Sequence, residues 1–293
     1  MKIDHILVPM DFSPDSESAL AYATEIAALN NARLTLLHVV VMFKYDVDEE
    51  KRMSDYEEMV NHHSDNSGEL LRGSVAAIEQ KGLEVDTVIL RGFSIPDTIL
   101  NFVEKNAFDL VVLGTQGKTG LRHMLQGSVA EKIVRLVPVS TLTVHCDHPP
   151  FALNSVLCPI DFSLDSKTML QRVGAFVADQ DTHLHLVHVV ESVLHPAYYA
   201  GGANSVFDID KGLKDRITGN LETFYEETGL SNPVSIAVLE GSASNELVQY
   251  ARKNALNLIA ISTKGLSGLD HILIGSTAER IVRYATTPVL TLK

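Results

Sequence analysis

Short apolar runs alternate with amphipathic stretches along the whole chain. Ile3–Val8 is too short for a helix and reads as a strand. Ser13-Pro14 follows, with Ser13 placed to cap a helix and Pro14 at its first turn. Ala19, Leu20, Ala23, Ile26 and Ala27 then recur at helical spacing. Further strands are expected at about Arg33–Val40, Glu84–Leu90, Asp109–Gly114 and Val139–Val144. Helices are expected at about Lys51–Lys81, Ile95–Asn106 and Gly127–Leu136. The second half adds strands near Ser155–Pro159, His183–Val190, Val234–Leu239, Leu258–Ser262 and Val289–Leu292. Leu110-Val111-Val112-Leu113 and Leu258-Ile259-Ala260-Ile261 are apolar on both faces, which suits parallel strands covered by helices on each side.

The pattern occurs twice. Pro9-Met10-Asp11-Phe12-Ser13 returns as Pro159-Ile160-Asp161-Phe162-Ser163. Leu37-His38-Val39-Val40 returns as Val187-His188-Val189-Val190, and Gly127-Ser128-Val129-Ala130-Glu131 as Gly275-Ser276-Thr277-Ala278-Glu279. Three ordered matches at an offset near 150 residues indicate a duplicated domain. Paired prolines at Pro149-Pro150 mark the junction, giving expected domains of 1–147 and 151–293. The fold class is α/β: two doubly wound, parallel five-stranded sheets with strand order 3-2-1-4-5. Such sheets bind ligands beyond the carboxyl ends of the strands, at the switch point between strands 1 and 4.

The chemistry concentrates there. Strand 4 runs into Gly114-Thr115-Gln116-Gly117-Lys118-Thr119-Gly120, and Gly127-Ser128 opens the next helix. Glycines at a strand end permit sharp turns and close approach. The amides of Gly127, Ser128 and Val129 at a helix start form an anion site. The G-x2-G-x9-G-S spacing, with Asp11 at the end of strand 1, resembles the ATP-binding subgroup of the universal stress protein family. The resemblance covers nearly the whole chain. It implies the adenine nucleotide alpha hydrolase-like fold and binding of ATP, ADP or AMP, with Mg as a possible companion. In the first half it assigns Asp11, beside Pro9, to the ribose hydroxyls and the backbone of Val39 to adenine. Gly114 and Gly117 would line the ribose and phosphates, and Gly127, Ser128 and Val129 would hold the phosphates. A turn-forming role remains the alternative for Asp11.

In the second half the first glycine is Ser262, while Pro159, Asp161, Val189, Gly265, Gly275, Ser276 and Thr277 remain. Binding there is expected to be weaker, different or absent. The family pairs through its last strand, so Val139–Val144 and Val289–Leu292 are expected to form an intrachain pseudo-dimer, with two chains then forming a homodimer.

Composition narrows the remaining choices. Of 293 residues, 45% are hydrophobic and 21% charged, which is ordinary for globular domains. A net charge of −13 disfavours nucleic acid and anionic membranes. No apolar run is long enough to span a membrane. With two cysteines, Cys146 and Cys158, a cytoplasmic, reduced protein is expected. Gly117-Lys118-Thr119 resembles the end of a P-loop, but Val112 stands where its first glycine belongs. Histidines cluster at His62-His63, His183/His185 and His145/His148 with Cys146, though only as fragments of a metal site. His38 and His188 repeat within strand 2 and read as structural. No catalytic residues are evident, and no base is expected near a terminal phosphate.

Met42–Asn66 and Ser192–Asp210 lengthen the crossovers and read as flaps near the site. The expected function is therefore a nucleotide-binding regulatory module with an unknown protein partner. A slow ATPase or other nucleotide-dependent enzyme and a scaffold for a non-nucleotide ligand remain alternatives.

Overall fold

The computed structural model describes residues 2–42, 50–115, 129–178, 180–191, 204–263 and 274–293, with side chains from residue 57 onward in the second stretch. The chain divides into two compact units, Lys2–Phe151 and Ala152–Lys293. In the first, the described elements are β1 (His5–Pro9), α1 (Pro14–Asn30), β2 (Arg33–Val41), α2 (Glu50–Glu79), β3 (Val85–Gly92), α3 (Ile95–Lys105), β4 (Leu110–Gly114), α4 (Val129–Leu136) and β5 (Ser140–Val144). In the second they are β6 (Ser155–Pro159), α5 (Leu164–Phe176), β7 (His183–Val190), α6 (Val206–Ile209), α7 (Leu213–Glu226), β8 (Val234–Glu240), α8 (Ala243–Lys253), β9 (Leu258–Ser262), α9 (Ser276–Tyr284) and β10 (Val289–Leu292).

Within the first unit the strands lie in the order β3-β2-β1-β4-β5, and within the second β8-β7-β6-β9-β10. The pairings within each unit are parallel. This is the expected 3-2-1-4-5 order, formed twice. Leu110, Val111, Val112 and Leu113 are all buried, as a strand covered on both faces requires. On one face, Leu7, Leu37 and Val111 pack with Ile99 and Val103 of α3 and Ile133 of α4. The opposite face carries α1, whose first turn lies on β4, and α2, where Gly68 approaches Ile89 of β3.

Local chemistry explains the helix starts. The Ser13 hydroxyl accepts the N–H of Ser16, and Pro14 occupies the first turn, where its missing N–H costs nothing. Ser163 caps α5 in the same way, accepting from Ser166. At the opposite end of the first sheet, Asp109 accepts the amides of Asp4 and His5 at 2.8 and 2.9 Å. Asn257 repeats this role by accepting the N–H and hydroxyl of Ser155. Both residues therefore tie strand ends together, on the far side of the sheet from the switch point.

The first strand begins at His5 rather than Ile3, and the Asp109 carboxylate clamps the amides of Asp4 and His5 where the ladder starts. The helix expected at Lys51–Lys81 forms as α2, so the part of the first insert from residue 50 to 66 is helix rather than a flap. Val60 and Leu71 are buried along it, so an apolar stripe docks it on the sheet despite its acidic surface. Residues 43–49 and 192–203 of the two inserts lie outside the described residues.

The buried His5 ring sits with Nδ1 2.8 Å from the Ala107 carbonyl and Nε2 2.8 Å from the Thr35 hydroxyl. A neutral ring satisfies both by donating from Nδ1 and accepting at Nε2. Burial lowers its pKa below the ordinary 6.5, against the opposing pull of the Ala107 carbonyl. The unfolded state therefore takes up this proton first, and the associated stability is lost as pH falls below 6.5. Urea unfolding from pH 7.5 to 5.5 should show a falling midpoint, and His5→Gln should flatten part of that slope. Ser13→Ala and Ser163→Ala should each lower stability by about 1 kcal/mol in the same assay.

Candidate functional site

A step in the sheet creates the site. β1 pairs with β2 from His5↔Arg33 to Pro9↔Leu37 and stops, while β2 continues to Val41 against β3. The Met10 N–H donates to the Leu37 carbonyl at 2.8 Å, so odd-numbered residues of β2 point their backbone groups toward β1. Leu34 and Met42 donate to Glu84 and Gly92 on the β3 side, which fixes the even-numbered residues the other way. By this alternation the N–H and C=O of Val39 face the β1 side beyond the last β1 partner. They form one donor and one acceptor on a strand edge that no described strand pairs with.

The second unit repeats the step. β6 and β7 pair as far as Pro159↔Val187, Ile160 donates to Val187, and Val189 lies two residues further on.

The chain leaves β1 through a strained turn. Phe12 has φ 59°, and Phe162 has φ 63°; this left-handed region is unfavourable for a bulky side chain. Such strain costs on the order of 1–3 kcal/mol and persists only where surrounding contacts impose it. Those contacts are the same in both units. The Phe12 ring lies 4.9 Å from that of His38, and Phe162 lies 5.0 Å from His188. Nδ1 of each histidine is 2.7 Å from a backbone carbonyl, Met10 for His38 and Ile160 for His188. The two histidines therefore hold the turn, which is the structural role their repetition suggests.

Asp11 and Asp161 complete the turn. Each accepts the N–H of the serine two residues on, at 3.0 Å, and Asp161 also accepts the Ser163 hydroxyl. The turn-forming role of Asp11 is thus present in the structure. It also leaves the carboxylate at the carboxyl end of β1, in the crevice where the strand order reverses. Glu17, in the first turn of α1, has its carboxyl raised above the ordinary range, by desolvation first and by the Asp11 charge second. Sequence patterning does not reveal this coupling, because the two residues meet only after the Asx turn folds Asp11 back toward the helix.

Gly114 closes β4 where α1 packs closely against it. A Cβ there would lie 2.6 Å from the Asp15 carbonyl carbon and 2.8 Å from its oxygen. The glycine lets α1 rest directly on β4. Thr115 follows it, and its buried hydroxyl has no hydrogen-bond partner among the described residues. In the second unit the corresponding Thr263 hydroxyl donates to the Leu292 carbonyl.

Pro9 and Pro159 end their strands beside the turns. Val129 is the first described residue of α4, whereas Gly117, Gly127, Ser128, Lys118 and Gly265 lie outside the described residues. Gly275 caps α9, with Ser276 and Thr277 in its first turn. The first-turn amides of a helix have no partner within it, so this end can receive an anion.

Next to Val39 lies a cavity of ≈230 Å³ lined by His38, Val39, Val40, Met59, Val60 and Ser67, among others. It is smaller than the roughly 300–1,000 Å³ of sites that enclose a whole drug-sized ligand. Its size and its walls of valine and methionine suit a flat ring system entering from one side. The sequence marks a helix over Met59, Val60 and Ser67 but not which strand its face meets, so the wall they form beside Val39 was not predicted. Among the other histidines, Nε2 of His183 is 2.8 Å from the Ser235 hydroxyl and Nδ1 of His185 is 3.1 Å from that of Tyr250. Hydrogen bonding thus accounts for both.

The model of the universal stress protein family matches residues 2–145 and again 153–293. The chain belongs to the universal stress protein family. Its two matches make it a tandem member. It is 26% identical over 219 residues to a universal stress protein of Synechocystis, covering 74% of this chain and 68% of that one. A universal stress protein of Mycobacterium bovis is 24% identical over 298 residues, covering 97% of this chain and 95% of its own. A solved universal stress protein structure from Archaeoglobus fulgidus superposes with a TM-score of 0.69 at 18% identity, covering 99% and 96% of the two chains. That last likeness concerns the fold.

Gly114→Ala should destabilise the first unit by about 1–3 kcal/mol, because the new methyl must displace the start of α1. Ser262→Ala keeps a Cβ already accommodated and should cost less than Gly114→Ala. Chemical unfolding of the two variants beside the parent protein checks the contrast.

Proposed function

We propose that the first unit of this tandem universal stress protein binds an adenine nucleotide at the step beyond β1 and serves as a regulatory module. The observation that carries the proposal is the uncovered Val39 backbone edge, with a base-sized cavity beside it. One N–H and one C=O on a strand edge match the ring acceptor and exocyclic amino donor of adenine, whereas guanine presents the opposite pattern there. Asp11, at the end of β1, would accept from the ribose hydroxyls with the oxygen geometry that its turn permits. A carboxylate beside phosphates would repel them, so hydroxyls are its natural partners. Pro9 and Gly114 would flank the ribose. Gly117, Gly127, Ser128 and Val129 would carry the phosphates by the G-x2-G-x9-G-S spacing. Mg would accompany ATP through its phosphate oxygens.

The second unit keeps the β7 edge at Val189, the Asp161 turn beside Pro159, and the Gly275-Ser276-Thr277 helix start. With Gly265 these residues form its candidate site, which would differ from the first at Ser262. Nucleotide occupancy would act by favouring one conformation or partner complex over another, without requiring turnover. The pseudo-dimer, the homodimer and the cytoplasmic setting belong to the same proposal. No helix among the described residues is long and apolar enough to cross a membrane.

Calorimetric titration with ATP and GTP tests the assignment. ATP should bind and GTP should bind at least about tenfold more weakly. Asp11→Ala removes a charged acceptor worth about 1.5–3 kcal/mol, so it should weaken ATP about 10–100-fold. Gly127→Glu places a carboxylate at the expected phosphate site and should abolish binding. Equal affinity for ATP in all three proteins would overturn the assignment.

A further inference from the structure

The first unit contains a second cluster of chemically reactive side chains. Asp15 lies in the first turn of α1, and His145 and Cys146 directly follow β5. They are 130 and 131 positions from Asp15 in sequence, yet one oxygen, one imidazole nitrogen and the sulfur all lie within 4.8 Å of one another. The fold brings them together in two steps. Gly114 allows the backbone of Asp15 to rest on the end of β4, and β5 runs beside β4 with Gly114 opposite Val144. The next two residues of the chain therefore reach the Asp15 carboxylate.

Asp15 is an unusual helix-start acid. Only 5% of it is exposed, and its hydrogen bond is to the Cys146 amide at 2.8 Å. Among the described residues no Lys or Arg pairs with it. The helix N-terminus offsets part of the cost of burying this charge. A bound cation would offset more of it, since no described Lys or Arg does so. Asp147 stands at the rim, with one oxygen 3.8 Å from Cys146 Sγ and the other 3.7 Å from His145 Nδ1.

We propose that Asp15, His145 and Cys146 form a zinc site, with Asp147 in reach as the fourth ligand. Thiolate, imidazole and carboxylate together select zinc over the oxygen-seeking magnesium and calcium ions. Zinc bonds of about 2.0–2.3 Å place tetrahedral ligands about 3.3–3.8 Å apart, so the cluster must contract by about 1 Å. His145 and Cys146 lie past the end of the strand, where rotamer changes supply that movement. Burial, followed by the charges of Asp15 and Asp147, raises the Cys146 thiol pKa, and a bound dication would reverse this effect.

The site is specific to the first unit. Thr143-Val144 of β5 corresponds to Thr291-Leu292 of β10, so a lysine, Lys293, replaces His145. The ion would tie the end of β5 to the first turn of α1, four residues after Asp11. The proposal stands apart from the nucleotide reading and can fail or hold independently.

Metal-free full-length protein titrated with Zn²⁺ against a chromophoric chelator tests it. One ion should bind per chain, and His145→Ala and Cys146→Ser should each weaken binding at least about tenfold. Co²⁺ in place of zinc should give a thiolate-to-metal charge-transfer band that Cys146→Ser removes. Zn²⁺ should also protect the parent protein from maleimide, since Cys146 is exposed and Cys158 is buried. Because both altered side chains lie past the strand end, circular dichroism should show both variants folded. Absence of binding, binding unchanged in both variants, or a cobalt spectrum without the thiolate band would each overturn the proposal.

Discussion

The account depends on the unequal lengths of two neighbouring strands. β1 ends at Pro9, whereas β2 continues to Val41, paired there with β3 alone among the described strands. A parallel sheet normally satisfies both backbone edges of an interior strand. Here the edge of Val39 is left open toward a crevice. Ending β1 early requires the chain to turn at once into α1, and that sharp turn imposes the left-handed conformation of Phe12. The His38 bond to the Met10 carbonyl, the ring contact with Phe12 and the Asp11–Ser13 Asx turn hold this conformation. The same devices recur at Phe162, His188 and Asp161. A strained turn reproduced in both units is part of the fold's design for presenting a strand edge.

Packing around α1 links this turn to the rest of the first unit. The helix can lie on β4 only because Gly114 has no side chain. That close approach brings Asp15 to the end of β5 and places Glu17 near Asp11. Three carboxylates within two turns of one helix start therefore serve three ends. Asp11 shapes the crevice, Glu17 feels its charge, and Asp15 faces the end of β5. In the second unit Ser262 replaces the glycine and Lys293 replaces His145. Duplication preserved the strand-end step while the surroundings of α1 and α5 diverged.

Much of this was legible in the sequence. The apolar runs marked the strands, and β6, β7, β9 and β10 occupy the ranges that their patterning predicts. The repeat and the run Asp11-Phe12-Ser13-Pro14 located the turn after β1 and the helix cap. Other features depend on tertiary contacts. The cavity wall of Met59, Val60 and Ser67 comes from a helix that the sequence marks, but its docking beside Val39 depends on the folded sheet. The purpose of Gly114 is also hidden, since a glycine before a ligand loop suggests close approach by the ligand rather than by a helix. Asp15 reads as an ordinary helix-start acid until the register of β4 and β5 places it beside His145 and Cys146.

The central claim is that the open edge of β2 recognises the nucleotide base. Amide NMR of the isotope-labelled protein, recorded as ATP is added, tests it most directly. The account predicts a saturable shift of the Val39 amide, together with the amides at the start of α4. If the Val39 amide stays unmoved while ATP saturates the protein and shifts other residues, the base is recognised elsewhere and the account is contradicted.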